Sequence, residues 1–183
     1  MHYEVSKATH LSEEDIHTIL SCWNVPGWLQ MSVADFRQRF SNSEFHLLKE
    51  DDRIVSIARI NADFLLQINN TLWRVAEFVG FAAVTQGKGY GSELLRAVIK
   101  TMQDTGTVTI GFCKRELRPF YEKHGIPILY DAAKYILEKE DDNWVPSTDD
   151  DILILYATDE DMSLLNSLGK DNPGYIAAPV VVA

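Results

Sequence analysis

Cysteine is scarce in this chain: Cys22 and Cys113 are the only two in 183 residues, and they lie far apart. That count argues against a disulfide framework or a cysteine metal site and points to reduced thiols. The histidines at 2, 10, 17, 46 and 124 also lack ligand spacing, so no metal is expected. No apolar run approaches the roughly 20 residues of a membrane span, and Met1 to His10 lacks the apolar core of a signal peptide. A cytoplasmic location without a membrane partner is therefore expected. Positive charge is in deficit too, with 17 Lys and Arg against 27 Asp and Glu, a net charge of −10 and a pI near 4.9. This balance argues against nucleic acid as a main partner. It would suit a cationic substrate, although charge of this kind speaks first to solubility.

What is present suits one globular domain over residues 1–183, since 46% of the chain is hydrophobic and 24% charged. There is no internal repeat and no low-complexity segment. Tyr3 to Val5 reads as a first strand, and Ser12 caps a helix with Ile16, Ile19, Leu20 and Trp23 on one stripe. A loop with Pro26, Gly27 and Trp28 leads to a short helix at Ser32, in which Asp35 fits a capping box. Phe45 to Lys49 and Arg53 to Ile60 form a hairpin around Glu50-Asp51-Asp52. A second hairpin turns at Asn69-Asn70, and its long strand, Leu72 to Val84, alternates Trp73, Val75, Glu77, Val79 and Phe81 onto one face. Later strands are expected at Thr107 to Phe112, Tyr135 to Leu137 and Ile152 to Tyr156. Short helices are expected at Arg118 to Gly125 and Asp161 to Leu168, and Glu138 to Asp151 reads as an acidic loop. The tail Ala178 to Ala183 is apolar enough to pack.

Of ten glycines, three fall at 87, 89 and 91, between the long strand and an amphipathic segment with Leu94, Leu95, Val98, Ile99 and Met102 on one face. Strand, glycine loop and helix form an anion site, because backbone N–H groups at a helix start point outward and glycine leaves them uncovered. The spacing is neither that of the Walker A loop nor that of the dinucleotide fingerprint. It is Gln-x-x-Gly-x-Gly, Gln86 to Gly91, and a flexible surface turn remains the alternative reading.

That motif resembles the pyrophosphate loop of the GNAT superfamily of acetyl-CoA-dependent N-acetyltransferases. Phe120-Tyr121-Glu122-Lys123-x-Gly125 is similar to the family's Phe-Tyr-Glu-x-x-Gly motif, and the two occur in family order. The resemblance implies an α+β fold, with a mostly antiparallel central sheet flanked by helices. Within the superfamily the chain looks most like the aminoglycoside 2′-N-acetyltransferases, through Glu77 nine positions before Gln86, Tyr121 and Asp149-Asp150-Asp151. It departs from them at Gly111-Phe112-Cys113, where they carry serines, and in ending Val-Val-Val-Ala rather than in a substrate-facing tryptophan.

The family pattern implies acetyl-CoA as cosubstrate, its pantetheine paired to the backbone of Val79 and Phe81. The pyrophosphate would sit on main-chain N–H groups of Gly87, Lys88, Gly89, Tyr90, Gly91 and Ser92, with Gln86 bracing the loop. Glu77 is the candidate general base through water, and Tyr121 the general acid toward the departing thiolate. The alternatives are a core carboxylate paired with Arg59 or Arg74, and a packed aromatic whose hydroxyl finds a carbonyl. Asp35, Asp150 and Trp28 are candidate contacts for a small cationic amine acceptor, with Trp144 beside them; solvated charges and loop anchors are the alternatives. A homodimer is compatible with this reading. A non-catalytic acyl-CoA-binding or regulatory module, and a protein or peptide N-acetyltransferase, are the competing functions.

Overall fold

A computed structural model of the chain describes residues 1–177. In order, it contains β1 (His2–Lys7), α1 (Glu13–Trp23), α2 (Val33–Arg39), β2 (Ser43–Glu50), β3 (Arg53–Asn61), β4 (Leu65–Ile68), β5 (Thr71–Arg74) and β6 (Ala76–Ala83). Then follow α3 (Tyr90–Thr105), β7 (Thr109–Cys113), α4 (Arg118–Lys123), β8 (Ile128–Leu129), β9 (Ile136–Glu140), β10 (Asn143–Pro146), β11 (Asp151–Tyr156), α5 (Asp159–Asn166) and β12 (Gly174–Ala177). The chain divides into two compact units, one of Met1–Ala62 with Phe78–Thr101, the other of Asp63–Glu77 with the chain from Met102 onward. The expected tail segment, Ala178 to Ala183, lies outside the described residues. Among those described, no helix is long and apolar enough to cross a membrane.

In the first unit β1, β2 and β3 form an antiparallel ladder, with Tyr3 opposite Leu48 and Leu47 opposite Ile57. The hairpin turn works because Asp51 and Asp52 accept left-handed backbone, with φ of 48° and 61°. Ser12 starts α1 by accepting the Asp15 N–H, and Ser32 starts α2 by accepting that of Asp35. Both helices bury their apolar stripe, with Ile16, Ile19, Leu20 and Phe36 in a core that includes Phe45 and Leu47. Trp23, Trp28, Phe36, Phe40 and Phe45 form a ring cluster at centroid separations of 4.8 to 6.3 Å. Aromatic pairs in this range add to the stabilisation from their buried area.

His46 is fully buried in β2. Its Nδ1 lies 2.6 Å from the Tyr3 hydroxyl, which lies 2.8 Å from the Thr101 hydroxyl. Thr101 gives its proton to the Ala97 carbonyl, so Tyr3 donates to Thr101, and Nδ1–H donates to Tyr3. Nε2 is then a bare lone pair, without a hydrogen-bond partner and 4.0 Å from Glu44. Burial, opposed in part by the Glu44 charge, lowers this imidazole from 6.5 to about 4. The unfolded chain takes up the proton that the folded chain refuses. The stabilisation is therefore complete above the unfolded value of 6.5 and is lost as pH falls toward 4. Over that window it amounts to about 3 kcal/mol at most. The urea midpoint is expected to fall between about pH 7 and about pH 5, and His46→Gln to flatten that fall. An unchanged slope in the variant would place the effect elsewhere.

In the second unit β11 pairs antiparallel with β7 and with β8, setting Asp151 opposite Cys113. A separate sheet runs β10-β9-β12-β4-β5, antiparallel except between β12 and β9. Its core joins Leu66, Ile68 and Ile136 to Ile110, Ile152 and Ile154. α5 carries a full capping box, Thr158 with Asp161, and Asp161 also accepts the Trp73 indole N–H at 3.0 Å.

The structure corrects two expectations. The long strand is two strands: Val75 donates to Phe64, but Ala76 donates to Val108, so the chain changes partners between them. Trp73 thus belongs to β5, and the shared face from Trp73 to Phe81 does not exist. Gly80, at φ +62°, breaks the two-residue period again within β6. The acidic loop from Glu138 is mostly a hairpin, β9 and β10, turning at Asp141 with φ of 51°. Its proline sits on an edge strand, where a missing N–H costs no ladder bond.

Candidate active site

The glycine loop lies in the first unit, between β6 and α3. Gln86, Gly87, Lys88 and Gly89 are exposed. Gly87 and Gly89 take φ of 78° and 82°, a conformation that side chains rarely adopt, although a Cβ at either would meet nothing within 4 Å. They are glycines for backbone shape rather than for lack of space. At Gly91 a Cβ would meet the Phe81 ring at 3.4 Å, an ordinary contact distance. α3 then runs sixteen residues, burying Leu94, Leu95, Val98 and Met102. Its first-turn N–H groups have no partner within the helix, and the aligned dipoles favour an anion there. The Tyr90 hydroxyl donates to Glu50 at 3.0 Å. Val79 and Phe81 are half-buried in β6 and flank Gly80, whose carbonyl accepts the Trp23 indole N–H at 2.7 Å.

Tyr121 lies in the second unit on α4, a helix of six residues with Pro119 in its first turn, closed by Gly125 at φ +69°. It is buried, at 5% exposure. Burial first, then the Cys113 and Asp149 charges, push its phenol well above the usual value of 10, so it holds its proton at neutral pH. Burial and the nearby Asp151 likewise push the Cys113 thiol up to about 12, which leaves it inert as a nucleophile.

Glu77 is half-buried at the start of β6, in the same unit. Glu138, on β9, is exposed over much of its length, yet its carboxyl is raised by partial desolvation and then by the charges of Glu77, Asp149 and Glu140. Asp149 is raised chiefly by burial as well. Glu77, Glu138 and Asp149 therefore share a negative field. The sequence reading missed Glu138 because it placed that residue in a loop.

Asp150, the expected substrate contact in the acidic triplet, accepts the Arg115 backbone N–H at 2.9 Å. The buried member is Asp151, at 0% exposure, forked by Arg118. Asp35 is an exposed capping residue that accepts the Ser32 hydroxyl at 2.6 Å. Trp28 packs on Trp23 and Phe40, with the Arg39 guanidinium 4.9 Å from its ring. Trp144 stands on edge strand β10, half-exposed against Tyr175. An open groove of about 700 Å³ in the first unit is lined by Glu14, His17, Thr18, Ser21, Cys22 and Val84, none of which the sequence marked as a candidate site residue.

The pattern of the acetyltransferase (GNAT) family matches residues 13–126, more than half of the chain. No curated protein sequence matches it. Among solved structures, an acyl-CoA N-acyltransferase from Pseudomonas aeruginosa superposes with a TM-score of 0.52 at 11% identity, over 84% of this chain and 98% of that one. Glucosamine-6-phosphate N-acetyltransferase from Arabidopsis thaliana gives 0.51 at 15% identity, over 69% and 92%. A probable N-acyltransferase from Enterococcus faecalis gives 0.52 at 12% identity over 71% of this chain, which spans only 33% of that longer one. At such identities the likeness is one of fold, here a mixed α/β fold with mostly antiparallel sheets.

Proposed function

Because this chain belongs to the acetyltransferase (GNAT) family, whose members draw on acetyl-CoA, we propose that it acetylates the primary amine of a small cationic acceptor such as an aminoglycoside, its two units working as one catalytic domain. The observation that carries the reading is the loop at the head of α3, where two positive-φ glycines bare the backbone beneath a helix N-terminus inside the matched segment. Pyrophosphate would be held by N–H groups from Gly87 to Ser92, with Lys88 adding charge, Gln86 bracing the loop and the backbone of Val79 and Phe81 pairing with pantetheine.

In the reaction, Glu77 takes a proton from the acceptor ammonium through water, freeing the nitrogen lone pair. The nitrogen attacks the thioester carbon, the C–S bond breaks, the thiolate takes the Tyr121 proton, and the tyrosinate recovers a proton from the acylated nitrogen, which leaves a neutral amide. The field of Glu77, Glu138 and Asp149 supports a cationic acceptor, and Asp35, Asp150 and Trp28 are its proposed contacts. Two free cysteines accord with a reducing, cytoplasmic setting.

Coenzyme A is expected to raise the melting temperature, by an amount equivalent to about 2.7 kcal/mol at one hundred times its Kd. Free-thiol release from acetyl-CoA is then measured with aminoglycosides, polyamines, amino acids and peptides. Turnover confined to cationic small amines supports the proposal. Turnover of peptides alone moves it to protein acetylation, and binding without release across the panel leaves a non-catalytic acyl-CoA module. No thermal shift would remove the cofactor assignment itself.

A further inference from the structure

α4 carries the Tyr121 phenol on six residues, far too few to hold a helix without outside anchors. Its first residue supplies one. Arg118 Nε lies 2.5 Å and Nη2 2.6 Å from the two carboxylate oxygens of Asp151, a two-pronged fork onto the first residue of β11. Asp151 Oδ1 also accepts the Asp131 N–H at 2.8 Å, and Arg118 Nη2 reaches Asp131 Oδ1 at 2.9 Å, where Arg115 joins at 2.6 Å. Above this network the guanidinium lies 5.1 Å from the Tyr130 ring centre, and Tyr130 bonds to Glu122 of the same helix. Ion pairs with a buried partner are costly to desolvate, and an apolar pair of similar volume often holds a fold as well. What a fork adds is direction, because its planar geometry accepts a single orientation of the helix start. Tyr121 follows Arg118 by three residues, one turn along the same face.

We propose that Arg118 and Asp151 are positioning residues, whose fork sets α4 so that the Tyr121 hydroxyl stands where the departing sulfur needs a proton. The proposal rests on the reading of Tyr121 as general acid. Neither residue touches the reacting atoms, and both act through the helix.

The test uses the whole chain labelled with 13Cζ-tyrosine, the Tyr121 resonance being identified by its loss in Tyr121→Phe. In Arg118→Lys and Asp151→Asn, checked as folded by circular dichroism, the Tyr121 resonance is expected to move, and its titration to fall back toward 10 as its enclosure loosens. Tyr130 moves with it and the other tyrosines stay. In parallel, kcat for acetyl transfer from acetyl-CoA to spermidine is expected to drop about 10²-fold in Arg118→Lys, with KM for acetyl-CoA unchanged. In a Tyr121→Phe background the same substitution should cost nothing further. A Tyr121 resonance unmoved in both folded variants overturns the proposal, as does a full loss of kcat added on top of Tyr121→Phe. Wild-type kcat in Tyr121→Phe alone, with the resonance still displaced by Arg118→Lys, would instead remove the general-acid reading and leave the fork as the anchor of α4.

Discussion

Tyr121→Phe is expected to lower kcat for acetyl transfer about 10²–10⁴-fold, the range that a single acid or base contributes, with little change in KM for acetyl-CoA. The substitution removes one hydroxyl from a buried ring and leaves its packing against Phe120, at 5.2 Å between centroids, in place. The fold should therefore survive it. The pH dependence follows from the environment of the phenol. An acid must be protonated to act, so activity is lost as pH rises through its pKa, and burial has moved that point above the ordinary value of 10. No loss of kcat traceable to Tyr121 is expected through neutral and mildly alkaline pH. Glu77→Gln should lower kcat in the same range by leaving the acceptor ammonium charged. The check is a steady-state profile of kcat and KM for each variant, and wild-type turnover in both would remove the mechanism.

Gly80→Ala is expected to carry the largest cost in stability, roughly 2–5 kcal/mol. Two effects add. At φ +62° an alanine is strained, and its Cβ would stand 2.7 to 2.8 Å from the Trp23 indole. The indole cannot yield cheaply, because its N–H is bonded to the Gly80 carbonyl and its rings pack on Trp28, Phe36, Phe40 and Phe45. For a chain of this size the loss corresponds to a fall in Tm of roughly 5–15 °C, read by thermal unfolding. Trp23→Phe removes the crowding atoms, so Gly80→Ala should cost measurably less in that background. Equal cost in both backgrounds would assign the whole effect to backbone strain. Because Val79 and Phe81 flank Gly80, KM for acetyl-CoA should rise in Gly80→Ala before the protein unfolds.

The features legible in the sequence are those written in short stretches. Ser12 and Ser32 sit one residue before their helices, Asp51-Asp52 at a tight turn, and Gly87 to Gly91 ahead of a long amphipathic segment. In each the cause lies within a few residues of the effect, so spacing alone reveals it. The break at Val75 was not legible, because nothing local distinguishes a strand that keeps its partner from one that exchanges Phe64 for Val108. The hairpin of β9 and β10 was hidden for a related reason: Glu138, Lys139 and Glu140 face solvent along much of their length, so the alternation that marks a half-buried strand is absent.

The candidate site divides along the same line. Glu77, Tyr121 and the glycine loop could be named from motif and order. Asp149-Asp150-Asp151 could be seen as a triplet, but its members' roles could not be told apart, because three adjacent aspartates are chemically identical until packing separates them. Burial made Asp151 the partner of Arg118, a backbone N–H occupied Asp150, and Asp149 joined the field around Glu138. Arg118 lies in the helix expected at Arg118 to Gly125, where nothing in the sequence gives it a role.

By itself, then, the sequence determined the glycine loop Gln86 to Gly91, the helix that follows it and the residue types available for acid–base chemistry, since these depend on neighbours three or four positions away. Only the tertiary structure decided that Trp23 closes over Gly80, that Glu138 joins Glu77, and that Asp151 rather than Asp150 anchors the helix of Tyr121. Those outcomes depend on which distant groups the fold brings together, and that juxtaposition has no signature at any single position.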